Sequence, residues 1–224
     1  MSEVKITPTS YIKEGKKYDR VTTVLGFLEH PKLVAWKLRV GTKESKRKST
    51  MAKKIGTRVD GMIRDHMTAG KPFRFNKYDS VSVQNCVHAY EKWAVDYPCK
   101  CAEGSVKFDD ELGVAGTPDI IKEGCSVVDI KCSERISLNY WIQVAMYMKM
   151  MGMSGDMAIL RLDKFTGEYQ YVVKPYDERY VSLFIGLLIN YRYHNQEEDD
   201  DGDTRGTEGG ADSAVSKVEE VYGF

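Results

Sequence analysis

Asp119 and Asp129 each sit in an apolar run, "GTPDII" and "VVDIKC", and Lys131 follows the second carboxylate by two positions. In an extended strand, side chains at i and i+2 share one face, so Asp129 and Lys131 point the same way. Two carboxylates at the ends of adjacent strands repel each other, and burying them is costly unless a cation compensates. Magnesium suits that task, because it takes oxygen ligands in near-octahedral geometry, keeps several waters and is usually held by one or two carboxylates plus a substrate phosphate. A carboxylate that holds the ion, beside a lysine that polarises a water as the ammonium or deprotonates it as the free amine and offsets charge on a phosphate, describes a hydrolytic site. Asp-x-Lys alone is more often a surface pair. Here it is preceded by a Gly-Thr-Pro-Asp turn and an apolar "SVV", and followed by a helical pattern that puts Gln143 and Tyr147 on one face.

The elements that must position these groups are legible in outline. Residues 20–40 carry a helical run through Val24, Leu25 and Leu28, a break at Pro31, and a second run through Leu33, Trp36 and Val40. A basic loop, "GTKESKRKSTMAKK", follows, and Gly56-Thr57 opens a helix with Val59, Ile63 and His66 on one face. Asp79 or Ser80 caps a further helix that ends near Pro98. From residue 103 the period becomes two, giving three short strands joined at "DDELG" and "KEG". A helix over 138–151, strands near 156–163 and 168–174 and a helix over 177–194 complete the pattern. That order predicts an α/β fold, a mixed central β-sheet flanked by helices with a mainly helical part over residues 1–100. From residue 195 on, ten acidic residues face Arg205 and Lys217 in a glycine-rich stretch that is expected to be disordered.

Composition narrows the function classes. The net charge of zero divides into 31 basic against 23 acidic residues over 1–194 and an acidic tail over 195–224. Nine basic residues and one acidic residue, Glu44, lie between Lys37 and Arg58, which favours a polyanionic partner. No apolar run approaches the roughly 20 residues of a membrane span, and the first residues lack a secretory pattern, so an intracellular protein with no membrane partner is expected. Five cysteines, an odd number without a C-x-x-C pair, indicate reduced thiols rather than disulfides or zinc.

"GTPDII", "VVDIKC" and "YWIQVAMY" resemble the PD-(D/E)xK nuclease superfamily, in particular the RecB-like and phage-type exonuclease branch that includes mitochondrial genome maintenance and lambda-type exonucleases. "RVTTVLGFLEHPKLVAWKLRVG" and "GTRVD" resemble the N-terminal helical part of that branch. The resemblance implies a restriction-endonuclease-like core over 101–194 within a nuclease domain of residues 1–194. It implies that Asp119, Asp129 and the Ile130 carbonyl bind magnesium or manganese, that Lys131 assists the attacking water, and that Gln143 and Tyr147 orient these groups or the DNA strand. Glu103 matches an additional acidic residue of several members. Many RecB-type members carry a metal-binding His where this chain has Asp60, which supplies an oxygen ligand instead or has no metal role. The absence of cysteine after Cys132 implies no iron-sulfur cluster.

The expected activity is metal-dependent DNA exonuclease action in replication, recombination or repair, with a compact domain that suits a viral or phage protein of the host cytoplasm. Lys43, Lys46, Arg47, Lys48, Lys53 and Lys54 would track the DNA backbone, and Arg58 beside the Gly-Thr turn would read a terminal phosphate. Trp36 and Trp141 are read first as core residues, with base stacking the alternative. The substrate is single-stranded DNA or duplex ends, and the acidic tail is an inert terminus, a groove occupant or a contact for a replication or recombination protein. Two alternatives stay open: a single-strand or structure-specific endonuclease on the same fold, and a non-catalytic nucleic-acid-binding module.

Overall fold

The computed structural model describes residues 3–28, 31–98, 101–103, 105–122 and 126–200. The acidic segment beyond Asp200, residues 123–125, on which most of the turn expected at "KEG" falls, and the side chain of Glu103 lie outside the described residues.

The first surprise against the sequence pattern is at the N-terminus, where strands β1 (Val4–Ile6), β2 (Ser10–Lys13) and β3 (Lys16–Arg20) form an antiparallel meander. Glu14 and Gly15 both have positive φ, 52° and 80°, as a two-residue hairpin turn requires. Helices α1 (Val21–Gly26) and α2 (Pro31–Val40) follow, broken where Pro31 was expected to break them. The expected basic loop is not a loop. It is the first half of α3 (Thr42–Ala69), a single helix that also absorbs the helix expected to begin at Gly56-Thr57. Lys, Arg, Met and Ala are strong helix formers, and Glu44 pairs with Arg47 and Lys48 three and four residues on. The helix ends at Gly70, whose φ of 60° lets its N–H reach the His66 carbonyl. Helix α4 (Val81–Asp96) begins after Ser80.

The run expected as one strand between "DDELG" and "KEG" divides. After β4 (Cys101–Glu103) and β5 (Lys107–Asp109), the chain forms β6 (Val114–Gly116) and then β7 (Ile120–Lys122), separated by Thr117-Pro118-Asp119. Proline cannot donate to a ladder. The chain therefore leaves one sheet and enters another at this point. Strand β8 (Ser126–Lys131), helix α5 (Leu138–Met150), strands β9 (Asp156–Leu162) and β10 (Tyr169–Pro175) and helix α6 (Arg179–Asp200) complete the order, α6 running six residues past the expected boundary at 194.

The strands form two five-stranded mixed sheets rather than one, in the orders β1-β2-β3-β6-β5 and β10-β9-β8-β7-β4. In the second sheet β8 runs parallel to β9 and antiparallel to β7. Period-two alternation sends Val127, Met157 and Ile159 into a core with α1, α5 and α6, and Val128, Ala158, Leu160 and Leu162 into a core with α3 and α4. The sheet is thus flanked by helices on both faces, as the sequence pattern predicts. Trp141 is buried in the first core, while Trp36 is half-buried. Cys86 and Cys132 are free thiols. Among the described residues no helix is long and apolar enough to cross a membrane.

Phe184, fully buried on α6, and Leu38, 81% exposed on α2, give opposite expectations. Phe184→Ala is expected to cost about 3–5 kcal/mol in urea unfolding. Leu38→Ala is expected to change stability by less than about 0.5 kcal/mol.

Candidate active site

Strand register brings the two carboxylates together. β7 pairs with β8 with Ile120 opposite Val128, so extending the ladder by one residue places Asp119 opposite Asp129. Asp119 Oδ2 accepts a hydrogen bond of 2.8 Å from the Ile130 N–H, which fixes the seam between the sheets to the central strand. Asp129 is fully buried and faces α5, where Gln143 Nε2 donates to its Oδ1 at 2.9 Å and to the Tyr147 hydroxyl at 3.0 Å. Gly116 makes room for Tyr147: a Cβ there would lie 2.4 Å from the ring. Lys131 Nζ lies 2.6 Å from Asp129 Oδ2 and 5.1 Å from the centre of the Tyr140 ring. That contact is an ion pair, and among the described residues Oδ2 accepts no directed hydrogen bond.

Electrostatics follow from this geometry. Burial, with the negative charge of Asp129 next, pushes Asp119 up to about 7. Burial also raises Asp129, against the pull of Lys131. Burial works to lower Lys131, but the charges of Asp129 and Asp119 outweigh it and hold the group above its ordinary value. Lys131 is therefore an ammonium at neutral pH. Tyr147, raised well above the usual phenol range by burial, keeps its proton and remains a donor.

A cleft of about 660 Å³ opens beside these groups, and Asp129, fully buried, is not among the residues that line it. Asp119, Ile130, Lys131, Gln143 and Tyr147 line it from the two sheets and α5, and Lys53 and Asp60 reach it from α3. Asp60 pairs with Arg64 at 3.2 Å, and its charge adds to the upward push on both buried aspartates. The backbone of Glu103 pairs with Ile120, one residue from Asp119. Lys43, Lys46, Arg47, Lys48 and Lys54 are exposed on α3 but do not line the cleft.

Arg58 is not brought to the cleft. It forms a two-pronged pair with Asp79, at 2.8 and 2.9 Å, that holds Asp79 down to about 2, and it lines a separate cavity of about 380 Å³ with Phe73 and Arg74. His66 stacks on Phe73 with ring centres 4.6 Å apart, away from the cleft. The sequence pattern missed Tyr11, Arg20, Thr22 and Thr117, which also line the cleft. The "YIKEGKKY" alternation around Glu14-Gly15 is the signal that could have found the first of them.

No family model and no curated protein sequence matches the chain. Two solved structures resemble it in fold. A crystal structure of the alkaline exonuclease LHK-Exo from Laribacter hongkongensis is 14% identical, with 83% of this chain and 95% of that chain covered and a TM-score of 0.43. LHK-Exo in complex with dAMP is 12% identical, with 62% and 78% covered and a TM-score of 0.44. Likeness at this level carries no functional inference, and the chemistry rests on the cleft itself.

The donor set fits a hard divalent cation. Two carboxyls whose protons are held up by burial, in Asp119 also by the charge of Asp129, would be relieved by a dication, and among the described residues the buried Asp129 Oδ2 meets only the Lys131 ammonium. Among the described residues no group of three or more His, Cys, Asp or Glu side chains converges.

A carboxyl with a raised value in the folded state binds its proton more tightly than in the unfolded chain. Stability therefore falls as pH rises from about 4 to about 7, and the deficit persists above that window. Without divalent ions, Asp119→Asn is expected to match wild type at pH 4 and exceed it in unfolding free energy at pH 8. Asp129, shifted the same way, leaves the variant with a smaller slope of the same sign. Urea titrations across pH 4–8 measure the difference.

Proposed function

We propose that this chain is a metal-dependent nuclease that hydrolyses phosphodiester bonds in DNA, with exonuclease action on single strands or duplex ends the preferred reading and replication, recombination or repair its setting. The observation that supports it is Asp119 and Lys131 on the floor of a cleft bordered by basic side chains, with Asp129 buried against Lys131 behind that floor. Asp119, Asp129 and the Ile130 carbonyl would hold magnesium or manganese, which when bound neutralises charge on the scissile phosphate and activates a water.

The chain's own residues divide the remaining work. Lys131 carries its proton, so in this arrangement it acts as a charge beside the water and the phosphate rather than as a base. Gln143 holds the Asp129 carboxylate in place and is itself braced by Tyr147. Lys53 offers a cation at the cleft wall, and Lys43, Lys46, Lys48 and Lys54 continue a basic surface along α3 for the rest of the strand. In the reaction water adds to phosphorus, the ester P–O bond breaks and the leaving oxygen takes up a proton.

End-labelled linear DNA, single- and double-stranded, and a closed circular single strand are the substrates for the test. Linear strands are expected to shorten with magnesium or manganese and to persist with chelator, while the circle stays intact. Lys131→Ala is expected to slow turnover by about 10²–10³-fold. Cleavage of the circle would replace the exonuclease reading with an endonuclease one. Tight binding without cleavage in either metal would leave a binding module.

A further inference from the structure

The cleft has a second wall that the catalytic arrangement does not use. β3 lies parallel to β6, with Arg20 opposite Ala115, and β6 runs on through Gly116 and Thr117 to Asp119. Main-chain register thus fixes the place of Arg20 relative to the catalytic turn. Its guanidinium lies 5.2 Å from the centre of the Tyr11 ring, and Nη1 donates to the Thr7 carbonyl at 3.1 Å. Tyr11 is only 3% exposed, and its hydroxyl shares a 3.2 Å hydrogen bond with Thr117, the residue two before Asp119. Arg20 therefore stands on a fixed platform joined to the turn that carries a catalytic carboxylate.

Charge accounting inside the cleft leaves two cations, Arg20 among them. Lys131 is held by Asp129, and Arg64 by Asp60. The carboxylate next to Arg20 along the chain, Asp19, is occupied by Arg192 at 2.9 Å. Among the described residues Arg20 and Lys53 have no ion-pair partner, and both line the cleft, one from the meander and one from α3. Burial of part of an arginine that lacks a protein anion is favourable where an external anion completes it, and a guanidinium matches phosphate geometry. The volume of about 660 Å³ falls among sites that hold one unit of small-molecule size, room for a nucleotide of a strand beside Asp119.

We propose that Arg20 is a positioning residue that grips a backbone phosphate of a single nucleic-acid strand beside the scissile bond, the strand lying between the N-terminal meander and α3 with Lys53 on the opposite wall. This rests on the nuclease reading. It goes beyond it by naming the strand's path and the residue that fixes it.

The test uses the full chain, a fluorescein-labelled single-stranded oligodeoxynucleotide and chelator, with affinity measured by anisotropy over a salt series. Arg20→Ala is expected to weaken binding about 10-fold and to reduce the slope of log affinity against log salt by about 0.7, the loss of one phosphate contact on a single strand. Arg20→Lys is expected to restore the slope. Arg20→Gln, which keeps a donor for Thr7 but no charge, reproduces the loss and serves if the alanine variant fails to fold. Lys77→Ala, which removes one exposed charge outside the cleft, is expected to leave the slope unchanged. In cleavage assays KM is expected to rise about 10-fold in Arg20→Ala, with kcat within about threefold of wild type. An unaltered slope in both neutral variants overturns the proposal while the nuclease reading stands. Normal binding and slope loss without cleavage in any metal overturns the nuclease reading instead. A wild-type chain that does not bind the oligonucleotide overturns both.

Discussion

Two like charges facing each other across a strand pair are the condition around which this molecule is arranged. Asp119 and Asp129 occupy adjacent positions on antiparallel strands, one at the seam between sheets and the other wholly buried. Water does not screen such a pair, so the protein surrounds it with a lysine, a glutamine amide and a backbone N–H. Each of these partners depends on a further element. Lys131 shares a face with Asp129 because β8 is extended. Gln143 is aimed by α5, and Tyr147 behind it fits only because residue 116 has no side chain. The compensation is incomplete, as the upward displacement of both carboxyls records.

The division of the strands into two sheets serves this pair. A continuous strand through "GVAGTPDII" would have kept Asp119 in an ordinary ladder. The interruption at Thr117-Pro118 instead leaves its carboxylate at a seam, half-buried, where the two sheets and α3 meet around a cleft. The three walls differ in character: Asp119 and Lys131 on the floor with Asp129 buried behind them, Lys53 on α3, and Arg20 on the meander. A polyanion entering such a cleft meets cations on both sides before it reaches the acidic floor.

The grouping of Asp129, Lys131, Gln143 and Tyr147 was legible in the sequence because it depends on local rules. Asp129 and Lys131 follow from the period of a strand, and Gln143 and Tyr147 from the period of a helix. The walls were less legible because tertiary context sets them. Gly56 reads as a break, yet α3 runs through it, since the surrounding Lys, Arg, Met and Ala and the packing of Val59, Met62 and Ile63 outweigh about 1 kcal/mol of glycine cost. Arg58 looked exposed beside a helix start. In the continuous helix it is a mid-helix residue whose partner, Asp79, lies 21 positions away and gives no local signal. Arg20 ends a strand too short to show a clear period, and its place beside the cleft comes from the non-local pairing of β3 with β6.

The central claim is that the Asp119 and Asp129 pair binds a divalent cation. Its most direct measurement is the unfolding temperature at pH 8 over a magnesium series, for wild type and Asp119→Asn in parallel. Binding to the folded state alone raises the unfolding temperature of wild type steadily with magnesium concentration, and the rise is lost or sharply reduced in the variant. A wild-type temperature indifferent to magnesium and manganese, or an equal rise in the variant, would contradict the account.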